Sequence, residues 1–144
     1  MIQQFVRSDG VSLVIVDYAQ LVSPSGSSRA VWEAMGKVSA GLQYAAKKHE
    51  VAVIAVSQLN RGDTNSEPDL ENLSNSSRFA HDANQVLLLD WSKAEKQGRR
   101  QLTRLLLKKN RHGPQVKIPI EIDFRSMRIS EITEQEEDRG WLDR

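Results

Sequence analysis

Val11-Ser-Leu-Val-Ile-Val16, closed by Asp17, and Val51-Ala-Val-Ile-Ala-Val56, closed by Ser57-Gln58, are the two stretches that decide the fold. Each is a short β-branched run, continuous rather than alternating in hydropathy. Such runs suit strands buried on both faces, which is the situation in a parallel sheet covered by helices. Between them Val31, Met35, Val38, Leu42 and Ala45 recur at spacings of four and three, the stripe of an amphipathic helix, with Lys47, Lys48 and His49 near its C-terminal end. Strand, helix, strand is a βαβ unit, whose crossover is expected to be right-handed.

Working outward, Met1 to Ser8 reads as the last turns of a helix feeding Val11, and Ser23-Pro-Ser-Gly-Ser-Ser28 as a loop. A covered α/β sheet normally begins with a strand, so the expectation is the second half of a larger domain. Asn60 to Asn75 is a polar loop holding Gly62 and Pro68, followed by a short helix around Ser77 to Ala83 and another buried strand at Val86-Leu-Leu-Leu89. Leu102 to Leu107 and Val116 to Ile122 flank Asn110-Arg-His-Gly-Pro114. The second run alternates apolar and polar residues, the pattern of a half-exposed antiparallel hairpin. Phe124 to Ile129 is a candidate further strand. The expected fold class is α/β: a mostly parallel sheet flanked by helices, ending in an antiparallel hairpin, over residues 1–133. An acidic tail follows at 134–144, frayed or a short helix.

Composition excludes several classes. With no cysteine among 144 residues there is neither a disulfide framework nor a cysteine zinc site, which is compatible with a reducing, cytoplasmic setting. The longest apolar stretches are far too short to span a bilayer, so no membrane partner is expected. Lys+Arg number 20 against 19 Asp+Glu, yet the near balance hides a segregation. Lys93 to Arg111 carries eight cations against Glu95, whereas Glu131 to Arg144 carries six acids against two arginines.

Asp17 and Gln58 stand at the carboxyl ends of the two decisive strands, where open α/β sheets place their ligands. An acid there can hold Mg²⁺ directly or through water, and a neutral amide can report a phosphate or orient an attacking water. The alternatives are an Asp that starts a turn and a Gln that anchors a loop. Lys108, Lys109 and Arg111 lie on the rim of the hairpin, fixed donors for a phosphate or else a solvated basic turn that keeps a sheet edge soluble. Ser74-Asn75-Ser76-Ser77-Arg78 opens the short helix and can touch a phosphate backbone, or be plain surface. His49, His81 and His112 have no metal-site spacing. Trp91, the nearest aromatic to the basic segment, is expected to pack at a strand end.

Taken in order, the segments 11–22, 51–61, 78–89 (Arg78-Phe-Ala-His-Asp-Ala-Asn-Gln-Val-Leu-Leu-Leu) and 107–114 (Leu-Lys-Lys-Asn-Arg-His-Gly-Pro) resemble successive motifs of the DnaB-type replicative helicase motor domain. The resemblance covers about residues 5 to 130. It implies a RecA-like fold, a hexameric ring of identical chains, hydrolysis of ATP with Mg²⁺ between subunits, and movement along single-stranded DNA. By the same resemblance Asp17 is the metal-binding Walker B aspartate and Gln58 links the γ-phosphate to DNA-contacting loops. Lys109 and Arg111 reach a neighbour's nucleotide, Arg111 as its finger, and Ser74 to Arg78 falls at a DNA-binding loop. Two departures stand out: Ser74-Asn75-Ser76-Ser77 replaces the usual Arg-Glu-Ser-Gly, and Asn84 occupies a position that is often Asp. No Gly-x-x-x-x-Gly-Lys-Ser/Thr occurs in these residues, so no phosphate cradle is present in them. The expectation is a motor half that is inactive alone and needs a P-loop-bearing partner chain. The alternative is a non-catalytic interaction module that binds or modulates a helicase ring.

Overall fold

The computed structural model describes residues 10–22, 31–59 and 66–132. The expected helix end at 1–8, the loop at 23–28 and the tail from 134 lie outside them. The chain forms two compact units: residues 1–60 with 70–83, and residues 61–69 with 84–144.

In the first unit β1 (Leu13–Val16) and β2 (Ala52–Ala55) pair in parallel, Leu13 opposite Ala52 and Val16 opposite Ala55. They are joined through α1 (Val31–His49), as the βαβ reading requires. Alanine, methionine, leucine, glutamine and lysine favour this helix, and Glu33 in its first turn and three basic residues in its last complement its dipole. Its expected stripe is partly buried, with Met35 and Val38 nearly inaccessible. Glu50, at φ 53°, ends it in a left-handed turn, and the Val51 N–H donates to the Ala46 carbonyl at 3.1 Å. A 3₁₀ segment (Leu70–Ser76) runs into α2 (Ser77–Asp82), confirming the predicted short helix.

The second unit is a four-stranded antiparallel sheet in the order β3 (Gln85–Gln97), β4 (Arg100–Asn110), β5 (Val116–Asp123), β6 (Arg128–Glu131). The predicted hairpin is there, Leu107 opposite Val116 and Leu102 opposite Glu121. Gly98, at φ 61°, turns β3 into β4, a left-handed conformation that glycine adopts without a Cβ penalty. The core of this unit contains Leu88, Leu102, Leu106, Ile120, Ile122 and Ile132.

Two expectations are corrected. The sheet is not mostly parallel: among the described residues two strands pair in parallel and four antiparallel. Connection length is the reason, because only β1 and β2 are separated by a helical crossover, whereas the links after Gln97, Asn110 and Asp123 are turns of a few residues, which permit only antiparallel neighbours. Nor are the decisive strands buried on both faces. Burial alternates along both, and Leu13, Ile15, Ile54 and Val56 are 44–62% exposed.

Candidate functional site

The candidate site residues are divided between the two units. In the first, Asp17 directly follows β1 and Gln58 stands three residues beyond β2, both exposed. The strand ends are knit together by the backbone: the Val56 N–H donates to the Val16 carbonyl at 2.9 Å and the Ala19 N–H to the Val56 carbonyl at 2.8 Å. A side-chain bond adds to this, Gln20 Nε2 donating to Ser57 Oγ at 3.0 Å. The predicted common edge therefore exists, with Asp17, Ser57 and Gln58 on two adjacent parallel strand ends. Gln20 Oε1, close by in sequence, is enclosed and accepts no hydrogen bond among the described residues. Sequence reasoning passed over Gln20, whose only signal is a polar residue a few positions past a strand-terminal acid.

Among the described residues no group of three or more His, Cys, Asp or Glu side chains could hold a metal ion. The donor set at the β1–β2 edge, one exposed carboxylate with Ser57 and Gln58 following the adjacent strand, fits Mg²⁺ that arrives with a nucleotide. That ion keeps several waters and takes one or two carboxylates plus phosphate oxygens rather than a full protein cage.

Arg78, the second residue of α2, spans one turn to Asp82, Nε to Oδ2 at 3.1 Å. Asp82 also accepts from Ser39 Oγ at 2.9 Å and pairs with His81 Nδ1 at 3.0 Å. Burial alone pushes its carboxyl up, but the bonds from His81, Ser39 and Arg78 outweigh that and hold it below the ordinary value. Of the predicted DNA-loop residues Ser74, Asn75, Ser76 and Ser77, the backbone lies in the 3₁₀ segment and the first residue of α2, and their side chains fall outside the described residues.

In the second unit Lys109 is half-exposed opposite Val86, and Arg111 is exposed at the start of the turn after β4. Asn84 braces Arg111 twice, its carbonyl accepting the Arg111 N–H at 3.0 Å and its Oδ1 accepting Nη1 at 3.2 Å. The turn is shaped by Asn110, whose Nδ2 donates to the Pro114 carbonyl at 3.0 Å. A Cβ at Gly113 would stand 2.9 Å from that Nδ2, so any larger residue there must push the Asn110 amide aside. Sequence reasoning noted Asn84 only as a departure from a family pattern, and its role as the brace of Arg111 was missed.

The basic segment is not a uniform surface. Arg104, 7% exposed, lies against the fully buried Asp90 and donates to it through both Nε and Nη2. Lys108 Nζ and Lys117 Nζ each meet one oxygen of Glu67 at 2.7 Å, with Arg104 Nη2 3.5 Å away. The hydrogen bonds from Lys108 and then Lys117 lower the Glu67 pKa to about 2. An arginine inside the apolar run Leu102 to Leu107 and an acid closing Leu87 to Leu89 were the available sequence signals, since each needs a buried partner. Trp91 departs from its expected packing: it is 47% exposed, with Phe124 stacked on it at 6.4 Å between ring centroids.

A sequence profile of the DnaB-like helicase C terminal domain matches residues 1–131. The chain belongs to that family. Among DnaB-family relatives, a replicative DNA helicase DnaB of Mycobacterium intracellulare is 36% identical over 107 residues, covering 71% of this chain and 19% of its own length. A probable replicative DNA helicase of Trieres chinensis is 34% identical over 123 residues, 78% of this chain and 27% of its own. The chain thus spans about a fifth to a quarter of these relatives. In fold it is similar to a solved ATPase domain, with a TM-score of 0.77 and 22% identity over 91% of this chain and 48% of that one. A DnaB-like replicative helicase studied with its primase gives a TM-score of 0.71 at 24% identity, over 84% and 31%. The fold shared with these two neighbours carries the RecA-like expectation, and no helix among the described residues is long and apolar enough to cross a membrane.

Proposed function

We propose that these residues are the part of a DnaB-like motor that runs from the metal-binding aspartate onward, and that the motor draws on ATP and Mg²⁺ to move along single-stranded DNA in the cytoplasm. The observation that carries this reading is the β1–β2 edge, where Asp17 and Gln58 end adjacent parallel strands in a chain of the helicase family. Asp17 would hold nucleotide-borne Mg²⁺, whose charge would offset that of the phosphates, and Gln58 would hydrogen-bond the terminal phosphate without adding charge.

Lys109 and Arg111 act on the nucleotide of a neighbouring subunit in a ring of identical chains, hexameric as in the family. The brace from Asn84 holds the guanidinium fork in place, which limits the entropy lost when it meets a phosphate. Ser74 to Arg78 lines the path of the DNA, contributing hydroxyl and amide contacts. With no phosphate cradle in its sequence, the 144-residue chain by itself turns over no nucleotide and depends on a P-loop-bearing segment or partner chain.

The test is complementation. The chain alone is expected to show no Mg²⁺-dependent ATPase activity with single-stranded DNA, and activity is expected when a P-loop-bearing family segment is supplied. In the restored assembly Arg111→Ala lowers turnover by roughly 10³ if it is the finger in trans. Turnover by the chain alone that Asp17→Asn abolishes, or an unchanged rate with Arg111→Ala, sinks the reading.

A further inference from the structure

Three cations converge on one carboxylate in the antiparallel sheet, and their placement follows from register. Arg104, Leu106 and Lys108 alternate along β4 and so share one face of the sheet, and Lys117 of β5 stands opposite Leu106 on that same face. Glu67, from the segment 61–69 that belongs to this unit, meets Lys108 through Oε1 and Lys117 through Oε2, both at 2.7 Å, while Arg104 approaches Oε2 at 3.5 Å. Arg104 is held from behind by the buried Asp90.

The cluster thus contains three cations and two carboxylates. Asp90 neutralises the buried arginine, which leaves the two lysines facing a single acid. The side chain of Lys117 is 57% exposed and that of Glu67 29% exposed, so the cluster opens to water. Two ammonium groups, one on each oxygen of a bridging anion, with a fixed guanidinium beside them, form a receptor whose charge and donor directions suit the two non-bridging oxygens of a phosphodiester as well as they suit a carboxylate.

We propose that Lys108, Lys117 and Arg104 form a binding site for a nucleic-acid phosphate, and that Glu67 occupies it as a built-in competitor. The nucleic-acid reading above supplies only the choice of probe. The site is tested in the single chain without nucleotide, so its failure leaves the complementation assay untouched, and the reverse also holds. Glu67 lowers intrinsic affinity for the DNA backbone and makes binding wait for exchange of one anion for another. The residues involved are not those carried over from the family resemblance.

The experiment is fluorescence anisotropy of the full chain with a labelled dT oligonucleotide about 16 nucleotides long across a salt series. Glu67→Gln is expected to tighten binding by roughly fivefold at low salt and to steepen the salt slope by about 0.7, the value for one added phosphate contact. Lys117→Gln is expected to change little in the wild-type background and to erase most of the gain in the Glu67→Gln background, as is Lys108→Gln. Glu121→Gln, which frees Arg100 from its 3.0 Å pair on the same sheet, changes net charge equally and controls for bulk electrostatics.

An equal gain from Glu121→Gln, or no gain from Glu67→Gln, overturns the proposal. So does a Lys117→Gln effect that is the same in both backgrounds. A gain seen for ATP or inorganic phosphate but not for the oligonucleotide overturns the assignment to nucleic acid. Should Glu67→Gln not fold, Glu67→Asp, whose carboxylate is one methylene short of the lysines, must give a smaller gain in the same direction, and its absence likewise overturns the proposal.

Discussion

The parallel pair β1–β2 is built wholly from apolar residues and the four-stranded sheet β3–β6 from apolar runs mixed with charged ones, yet it is the mixed sheet that seals its core. In the sheet, Leu88, Leu106 and Ile120 are at most 4% exposed, and the acid and arginine among them are paired. In the parallel pair, Ile15 and Ile54 lie more than half open to solvent, and two of the candidate residues, Asp17 and Gln58, stand at its exposed edge. A sheet of successive hairpins completes its own core from neighbouring sequence. A parallel pair depends on layers brought from elsewhere, and here one of its faces is half-buried and the other exposed. The strands with the better sealed core are therefore distinct from the strands that present Asp17 and Gln58.

The sharpest way to break that contrast is through Asp90. Asp90→Ala leaves Arg104 buried without its carboxylate and is expected to cost about 3–5 kcal/mol of stability, read as a large drop in the urea midpoint. Replacing both partners with Leu and Met should recover most of the loss, since a buried pair is often no better than apolar packing. A small loss from Asp90→Ala would show that the pair is not sealed from water. The next contrast is between two isoleucines. Ile120→Ala should cost about 2–4 kcal/mol, whereas Ile54→Ala should stay within about 0.5 kcal/mol, and similar losses would mean that the face of β1–β2 is covered in solution.

A pH series gives a smaller effect. Glu67, held at about 2 in the folded chain against an ordinary 4.5, adds stability that is fully present above its ordinary pKa and disappears as pH falls from there toward 2. With partial exposure and solvent screening the contribution is on the order of 1 kcal/mol, and Glu67→Gln should flatten that part of the acid unfolding profile. If the profile of the variant keeps its full slope between those values, another carboxylate carries it. The smallest expected change is Lys37→Ala, which removes an exposed one-turn pair with Glu33 at 3.4 Å and should shift stability by about 0.3–0.5 kcal/mol.

How much of this was legible beforehand varied with the range of the interaction. The βαβ unit, the hairpin and the strand-end positions of Asp17 and Gln58 could be read because periodicity and turn residues are local. Antiparallel pairing of Val86 to Leu89 with the strand that carries Leu105 to Lys109 was not anticipated, because a continuous apolar run fits a parallel strand and an antiparallel one alike. The bond from Glu67 to Lys108 and Lys117 joins residues 41 and 50 positions apart, and nothing in the spacing of a polar loop announces it. Eight cations between Lys93 and Arg111 looked like one electrostatic surface. Folding removes Arg104 from it and engages Lys108, so the sum of charges overstated what solvent meets.

The short turns that join β3 to β6 also bear on the order in which the chain acquires structure. Each pairing closes a loop of only a few residues, at Gly98, around Gly113 and at the Asp123 turn, where the carboxylate accepts the Arg125 N–H at 2.9 Å. Loop closure of that length costs little entropy, so these hairpins can zip early, within the microsecond range of hairpin formation. The β1–β2 pairing must instead wait for the chain from 17 to 51 to be gathered, helix included. Pulsed hydrogen exchange is expected to find the amides of β4 and β5 protected before those of β2, with the edge that carries Asp17 and Gln58 among the last features to assemble.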